Sequence, residues 1–207
     1  MKAIDTWKKN LKKVWKEGNV YVDQSNRRCR ELLNQKIVIK EDLEGPINYM
    51  LSKDDWFYPS KKEITEAVLK KIHVPVYKYT YGERLFNYRE KLDQISRFVV
   101  PLLKEKKRSR KAILLTYDPL SDSDVLLGDT PSLIYISLVI RKDKLFLTGH
   151  LRSSDLFFGW PANLYQLSII QSYVARELGV ECGDITTFSN SLHIFEDCED
   201  FLQKLIK

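Results

Sequence analysis

The chain has 207 residues, of which 43% are hydrophobic, and its net charge is +6. That size suits one compact domain with a sizeable core, while no apolar run reaches the roughly 20 residues of a membrane-spanning helix and none follows the N-terminal charges as in a signal peptide. The three cysteines form no CxxC pair, which argues against a zinc site or a disulfide framework and favours a reduced, cytoplasmic compartment.

The first half is predicted to be mostly helical. Apolar residues at three- and four-residue steps predict an amphipathic helix that Gly18 stops, Ser60 and Glu63 form a capping box, and Pro101 should bend a third helix or end it early. Gln35–Lys40 reads as a short strand. The three helices are expected over about residues 4–17, 61–72 and 90–105.

The second half predicts strands around one long helix. The helix carries a continuous apolar stripe from Leu164 to Leu178 and is capped by Gly179, and a last helix covers Asp197–Ile206. Hairpin-like strands mixed with helices indicate an α+β fold with a mixed sheet packed on the long buried helix. The strands are expected at Ala112–Tyr117, Ser132–Ile140, Lys144–Leu151, Asp184–Ser189 and Leu192–Phe195.

Four short motifs follow one another in the second half. They are Arg152-Ser153-x-Asp155, Gly159-x-Pro161-x-Asn163, Gly183-Asp184 after the long helix, and His193-x-Phe195. This order and spacing resemble the thymidylate synthase family, which carries R-S-x-D, G-x-P-x-N, a helix, G-D and H-x-Y.

The resemblance continues upstream and covers about Val76–Phe195, a little over half of one domain spanning residues 1–207. Its upstream elements are Tyr81-Gly82, Asp93-Gln94-Ile95 and Ser109-Arg110-Lys111. The divergent part, about residues 1–75, contains Asn26–Asn34, which is similar to the N-terminus of short archaeal, methanogen-type members.

The family implies a nucleotide phosphate held by arginines of two subunits of a homodimer. Guanidinium groups suit this role because they offer planar, bidentate donors. By resemblance, Arg152 and Ser153 hold the phosphate from one subunit, and Arg110 and Lys111 reach in from the other. The alternatives for Arg110 and Lys111 are a solvated tail of the basic run Lys104–Lys111 or a nucleic-acid patch, although the resemblance makes nucleic acid an improbable partner.

The base and sugar of the nucleotide are assigned in the same way. Asn163 can accept from N3–H and donate to O4 of uracil, whereas its alternative role is a helix N-cap. The resemblance gives His193 the sugar hydroxyl, with Phe195 replacing the family's tyrosine. It gives Asp155 a supporting role in catalysis at the base or cofactor, the alternative being a buried turn carboxylate bonded to backbone amides.

The family's nucleophile is a cysteine that adds to C6 of the pyrimidine, and its position falls on Ser132 here. A hydroxyl is much harder to ionise than a thiol and needs an adjacent base. Three explanations of this serine stay open: an engineered replacement, a native residue in a protein with lost or changed activity, or a wrong alignment of the loop before it. Cys182 or Cys198 could replace the nucleophile only if the fold brought one of them to the pocket. Glu41, Glu44 and Glu83 are the candidates for a general base.

The sequence therefore predicts one-carbon transfer to C5 of deoxyuridine monophosphate (dUMP), giving dTMP. By resemblance the donor is methylene-tetrahydrofolate or methylene-tetrahydromethanopterin. The alternatives are a pyrimidine-nucleotide-binding paralogue without methyl transfer, an altered enzyme such as a hydroxymethyltransferase or a base-releasing hydrolase, and nucleic-acid binding through Lys104–Lys111.

Overall fold

A computed structural model describes residues 2–71, 79–124 and 130–206. Within these ranges six strands form one mixed sheet in the order β1-β2-β6-β5-β4-β3. The strands are β1 (Asn19–Val22), β2 (Arg28–Ile39), β3 (Ala112–Leu115), β4 (Leu133–Arg141), β5 (Lys144–Asp155) and β6 (Glu181–Phe195). The helices are α1 (Ala3–Glu17), α2 (Gly45–Leu51), α3 (Lys61–Leu69), α4 (Tyr81–Phe86), α5 (Val100–Glu105), α6 (Pro119–Asp122), α7 (Gly159–Leu178) and α8 (Glu199–Ile206).

The connections explain why the sheet is mixed. Lys142 and Asp143 both adopt positive φ, as a tight hairpin turn requires, and the turn joins the antiparallel strands β4 and β5. β5 and β6 are parallel, so α7 must carry the chain back between them. The N-terminus of α7 therefore lies at the carboxyl end of β5, beside the Arg152–Asp155 motif.

The hydrophobic core lies between one face of the sheet and the helices. Along β5 the buried residues alternate, and α1 and α7 pack on that face. The alternate residues of the sheet point to the other face, where Val38 and Leu115 are exposed. We call this second surface the open face. The α+β class and the long core helix are thus confirmed, and α7 buries the stripe of which Leu164, Leu167 and Val174 are part.

Several element boundaries differ from those predicted. The two predicted strands near the C-terminus form one continuous strand, β6, because Ser191 pairs with Leu33 on one side and with Ser153 on the other. The expected strand Gln35–Lys40 belongs to β2, which begins at Arg28. Pairing partners on neighbouring strands extended both elements beyond their local patterns.

The predicted helix over 90–105 is shorter and irregular. It starts with a π-helical turn at Ile95–Val99 and continues as α5, with Pro101 in the first turn of α5, close to the change of helix type. Glu90 has a positive φ and lies in a turn before the helix.

The other predicted helices are close to their expected bounds. The capping box at Ser60 and Glu63 is confirmed at the start of α3, which ends at Leu69; position 72 lies outside the described residues. α1 ends at Glu17, and Gly18 follows it where a side chain would lie only 2.5 Å from the carbonyl oxygen of Val14. No helix in the described ranges is long and apolar enough to cross a membrane.

Candidate active site

The turn before β4 carries Ser132, and Arg152 is bonded directly to it. The backbone N–H of Arg152 donates to the carbonyl of Ser132 over 2.8 Å. Its guanidinium donates through Nε to Pro131 O at 3.0 Å and through a terminal nitrogen to Thr130 O at 2.8 Å. Because a guanidinium has five N–H groups and Arg152 is exposed, donors remain for an anion. The structure thus brings Ser132 and Arg152 together.

Tyr81 joins this pair, a role that the sequence motif Tyr81-Gly82 did not assign. Its hydroxyl accepts a hydrogen bond from the N–H of Leu133 at 3.3 Å. Burial raises the pKa of Tyr81, although the charge of Arg152 works in the opposite direction. Gly82 lets α4 approach α3, since a Cβ there would lie 2.3 Å from Lys70 O. A protonated phenol therefore stands beside the nucleophile position.

The same helix, α4, also holds the start of the segment that leads to Ser132. Arg84 lies 2.9 Å from a carboxylate oxygen of Asp122 and 3.4 Å from one of Asp118. Both carboxylates are almost fully buried, and Asp118 caps α6. Residues 125–129 lie outside the described part of the chain, but both ends of their segment are bonded to α4. This arrangement fixes where the chain enters β4.

Asn163 lies in the helical layer at the same end of the sheet. α7 begins at Gly159 after Phe158, so Asn163 is not the N-cap, and that alternative is wrong. Leu167 packs on Gly149, where a Cβ would lie 2.7 Å from its side chain. Asn163 precedes Leu167 by one helical turn, about 6 Å nearer to the carboxyl end of β5. Its Nδ2 donates to Gln166 Oε1 at 3.2 Å, which leaves Oδ1 and one N–H available.

Asp155 forms the turn between β5 and α7. One carboxylate oxygen accepts from the N–H groups of Phe157 and Phe158 at 2.9 and 3.2 Å. Burial outweighs these hydrogen bonds and raises the pKa of Asp155 to about 6. These contacts are those expected of a turn carboxylate, and its supporting role in catalysis stays a prediction.

His193 is directly opposite Asp155 in the parallel ladder of β5 and β6. Its ring is buried, its Nδ1 lies 3.5 Å from Ser191 Oγ, and Ser191 is opposite Ser153. Burial lowers the pKa of His193, so the ring is neutral at neutral pH and can both donate and accept. Ser153 and His193 therefore share the end of the sheet that carries Arg152.

Phe195, which replaces the family's tyrosine, makes a cation–π contact with Arg27. The ring lies edge-on to His193 with centroids 4.9 Å apart, and the Arg27 guanidinium lies 3.5 Å from its centroid. Asp197 holds Arg27 at 2.6 Å. Arg27 belongs to the Asn26–Asn34 segment, which sequence comparison noted without assigning it a role.

Arg110 and Lys111 do not reach this cluster within one chain. Both are exposed just before β3, where Ala112 pairs with Leu138. Ser132 lies before the other end of β4, about 20 Å away at the rise of a strand. Their expected role in the partner's phosphate site stays a prediction.

The other candidate groups lie elsewhere. Cys182 is opposite Leu145, at the far end of β5, and Cys198 is buried with its thiol donating to Phe195 O at 3.0 Å. Burial raises the pKa of Cys198 to about 12, so neither cysteine replaces a nucleophile at Ser132. Glu44 is paired with Lys61 at 2.5 Å, whereas Glu83 lies on α4, two residues from Tyr81.

A cavity of about 470 Å³ lies against the first two turns of α7. Ala162 and Gln166, on either side of Asn163 in sequence, form one wall, and Phe57, which is 91% exposed, forms part of another. The remaining lining combines the apolar residues Pro59, Ile64 and Ala67 with Thr80 and the charged groups of Glu63, Glu66 and Lys70. Such a concave, mostly apolar space with a few polar groups suits a planar organic ligand.

Comparison with known proteins agrees with the sequence motifs. The family model described as thymidylate synthase matches residues 3–207. A protein from Methanococcoides burtonii is 34% identical over 98% of this chain and 91% of its own length, and one from Methanosarcina mazei is 33% identical over the same shares. Both carry the provisional name of thymidylate synthase.

A more partial relative carries a different name. A deoxyuridylate hydroxymethyltransferase of Bacillus phage SP01 is 36% identical over 56% of this chain and 33% of its own length. The family model and the methanogen relatives, in contrast, extend through the divergent N-terminal part. The chain therefore belongs to the thymidylate synthase family, a family of transferases.

Proposed function

We propose that this protein transfers a one-carbon unit to C5 of dUMP and yields dTMP. The observation that carries the proposal is the bonding of Arg152 to the turn of Ser132, which joins an anion-binding group to the nucleophile position. Asn163 and His193 lie at the same end of the sheet. The match to the thymidylate synthase family over residues 3–207 supports the same reaction.

The substrate would be held at three points. Arg152 and Ser153 bind the 5′-phosphate, His193 binds a sugar hydroxyl, and Asn163 reads the base. Because Nδ2 of Asn163 is oriented by Gln166, its oxygen is free to accept from N3–H and its second N–H to donate to O4. Cytosine presents the opposite pattern at these two atoms, which favours uracil.

Ser132 would begin the reaction by adding its oxygen to C6, with the hydroxyl proton passing to a base. The pyrimidine then becomes nucleophilic at C5 and forms the new carbon–carbon bond there. Loss of the C5 proton, release of the carbon from its donor, reduction of that carbon by the donor's electrons and elimination of the serine oxygen would then give dTMP. A serine makes the first step slower than a cysteine would, because its hydroxyl ionises far less readily.

The residues around the 470 Å³ cavity fit a reduced pterin donor. Phe57, Ile64, Ala162 and Gln166 offer a largely apolar enclosure next to the base reader. Methylene-tetrahydrofolate or methylene-tetrahydromethanopterin would supply the carbon and the electrons that reduce it to a methyl group. The carboxylates of Glu63 and Glu66 would lie near the edge of that ligand.

Two observations favour a second candidate without methyl transfer. Ser132 and Phe195 both depart from the family pattern, and the phage relative is named a hydroxymethyltransferase. A hydroxymethyl product needs no reduction of the transferred carbon, and a nucleotide-binding paralogue needs no addition at C6. Analysis of the nucleotide product by mass separates methyl from hydroxymethyl transfer.

We further infer a cytoplasmic homodimer that uses the open face. A row crosses four strands there: Phe188 of β6, His150 of β5, Tyr135 of β4 and Leu115 of β3. His150 stacks on Tyr135 with ring centroids 4.0 Å apart. If two copies stack on their open faces about a twofold axis perpendicular to the strands, the strands of the two sheets run in opposite directions. This arrangement would carry Lys111 of one copy toward Arg152 of the other. The three free cysteines fit a reducing compartment.

Release of tritium from 5-tritiated dUMP tests the reaction, since exchange at C5 requires addition at C6. We expect slow release by the protein as it stands, none by Ser132→Ala, and faster release, by at least tenfold, by Ser132→Cys. Calorimetric binding of dUMP to all three proteins is the control for folding. Binding without release by any of them would leave only the nucleotide-binding role.

A further inference from the structure

The charge of this protein is concentrated at one end of the molecule. We call residues 104–111 and 141–144 the basic end. They hold nine of the chain's 34 Lys and Arg and two of its 28 Asp and Glu, a net charge of +7 against +6 for the whole chain. The other 195 residues are therefore close to neutral, with a net charge of −1. A uniformly basic surface does not explain this distribution.

The fold builds this end from two segments that are distant in sequence. The first segment leaves α5 and enters β3, and the second is the turn between β4 and β5. Lys107 Nζ lies 2.5 Å from a carboxylate oxygen of Asp143, which joins them. A concavity of about 400 Å³ lies between the two segments, lined by Lys107, Arg108, Ile140, Arg141, Lys142 and Asp143. The basic run seen in the sequence is thus only half of the surface.

Most of these charges lack an anionic partner among the described residues. All nine cationic side chains belong to exposed residues. Three of them pair with carboxylates, Lys106 with Glu105 at 3.6 Å, Lys107 with Asp143, and Lys144 with Glu181 at 3.1 Å. Within the described ranges the other six have no carboxylate within 4.0 Å. Two of the six, Arg110 and Lys111, are the pair proposed for the partner's phosphate site, which leaves Lys104, Arg108, Arg141 and Lys142 for another anion. Mutual repulsion of such a cluster is relieved by an external anion.

The extent of the basic end indicates a polyanion and not a single phosphate. Its charges spread over the ends of β3, β4 and β5, which are neighbours in the sheet and span about 10 Å, and along the approach from α5. One phosphate reaches only the few donors within hydrogen-bond distance. A row of phosphates can contact the cluster along its whole width.

The side chains of these twelve residues also restrict the partner's nature. None of the twelve is aromatic or aliphatic, so there is no platform on which bases could stack and no apolar group to enter a lipid layer. Contacts with phosphates alone give binding that ignores sequence and depends strongly on salt. We propose that the basic end binds the phosphate backbone of nucleic acid, a partner beyond the proposed reaction and contrary to the sequence expectation.

The decisive variant removes three unpaired cations and leaves Arg110 and Lys111 in place. It combines Lys104→Gln, Arg108→Gln and Lys142→Asn. The matched control, Lys9→Gln with Lys12→Gln and Lys16→Gln, removes three exposed lysines from α1 and changes the net charge equally. Calorimetric binding of dUMP should be unchanged in both, which separates this surface from the nucleotide site.

The measurement is fluorescence anisotropy of a labelled 20-nucleotide oligo-dT between 50 and 200 mM NaCl. With about four phosphate contacts, the wild-type Kd should rise roughly 50-fold over this range. The basic-end variant should bind at least tenfold more weakly at 50 mM NaCl. Its slope of log Kd against log NaCl concentration should be smaller by about two. The α1 control should stay within twofold of the wild type.

Other outcomes overturn the proposal. Equal weakening in both variants would mean diffuse surface charge, and displacement of the oligonucleotide by millimolar dUMP would assign the binding to the nucleotide site. Binding to vesicles containing 30% phosphatidylglycerol without binding to oligo-dT would make the partner a membrane surface. A wild-type Kd independent of salt would also exclude phosphate contacts.

Discussion

In the proposed function, Asn163 selects the pyrimidine with a single carboxamide. Its side chain lies in the second turn of α7, too far along the helix to cap it, and Gln166 fixes the direction of its amide group. The oxygen and the remaining N–H are then available as one acceptor and one donor. This pairing matches uracil and mismatches cytosine at two adjacent atoms.

Replacing Asn163 by Asp should therefore reverse the base preference. A carboxylate accepts from the amino group of cytosine but leaves uracil O4 without a donor, so we expect dUMP to bind about 100-fold more weakly and dCMP more tightly than before. Calorimetry with dUMP, dCMP and UMP measures both effects. Asn163→Ala is the control, and an unchanged order of affinities in Asn163→Asp would show that this residue does not contact the base.

Asp155 is a residue whose environment opposes its charge at neutral pH. Burial raises its pKa from the ordinary value of 3.8 to about 6, so the folded protein binds this proton more tightly than the unfolded chain does. Its contribution to stability is complete below about pH 4 and is lost as the pH rises through 6. The full loss amounts to about 3 kcal/mol.

Asp155→Asn should remove this pH dependence. The amide oxygen can still accept from the N–H groups of Phe157 and Phe158, but it has no proton to lose. The free energies of unfolding of the variant and the wild type should separate between pH 4 and 7, with the variant gaining up to about 3 kcal/mol. Urea titrations at several pH values test this, and a constant difference across the range would contradict it.

Among the helices and strands, the six-residue helix α4 makes the contacts that position the turn carrying Ser132. Tyr81 in its first turn accepts from the strand that follows Ser132, and Arg84 in its last turn binds Asp118 and Asp122 at the start of the same segment. Gln94 adds a further tie, because its side chain bonds Arg84 O and both backbone groups of Leu115. One short helix thus sets the position of the nucleophile turn.

Arg84→Met should loosen that turn. Without Arg84 the buried carboxylate of Asp122 is unpaired and Asp118 keeps only Arg89, at 3.4 Å, which costs on the order of 3–5 kcal/mol. We expect dUMP affinity to fall, because the segment that leads to Ser132 loses its bond to α4. Adding Asp118→Asn and Asp122→Asn removes both negative charges and should restore most of the stability, as thermal unfolding will show. If the triple variant also regains full dUMP affinity, α4 does not position the turn through Arg84.

At the scale of the whole molecule, two distant ends of the sheet must meet if the phosphate site is shared. Arg152 lies at the carboxyl end of β5, and Arg110 and Lys111 lie about 20 Å away along the strands. A second copy stacked on the open face is the arrangement that would join them. The row from Phe188 to Leu115 supplies apolar and aromatic surface for such a contact.

A mixture of two variants tests the shared site. Arg152→Ala and the double variant Arg110→Ala with Lys111→Ala should each bind dUMP at least tenfold more weakly. After subunits are exchanged at equal amounts, half of the dimers are mixed and each regains one intact site, so about a quarter of all sites should bind with wild-type affinity. Calorimetric stoichiometry measures this, and no recovery in a mixture shown to exchange would rule out sharing.

The family and most of the local structure can be predicted from the order of the amino acids alone. Periodicity located α1 and α7, the capping box located α3, and the expected strands Ser132–Ile140 and Lys144–Leu151 located the β4–β5 hairpin, because these signals depend on neighbours within a few residues. The spacing of the motifs from Arg152 to Phe195 then indicated a thymidylate synthase-like fold, which the match over residues 3–207 confirms.

How the parts of the site meet depends on long-range contacts in the folded chain. The continuity of β6 depends on pairing with β2 and β5, and the roles of Tyr81, Arg84 and Arg27 depend on contacts with residues at least 34 positions away. Such contacts leave no periodic trace along the chain. The basic end also depends on a long-range contact, because folding places the turn Arg141–Lys144 beside the run Lys104–Lys111.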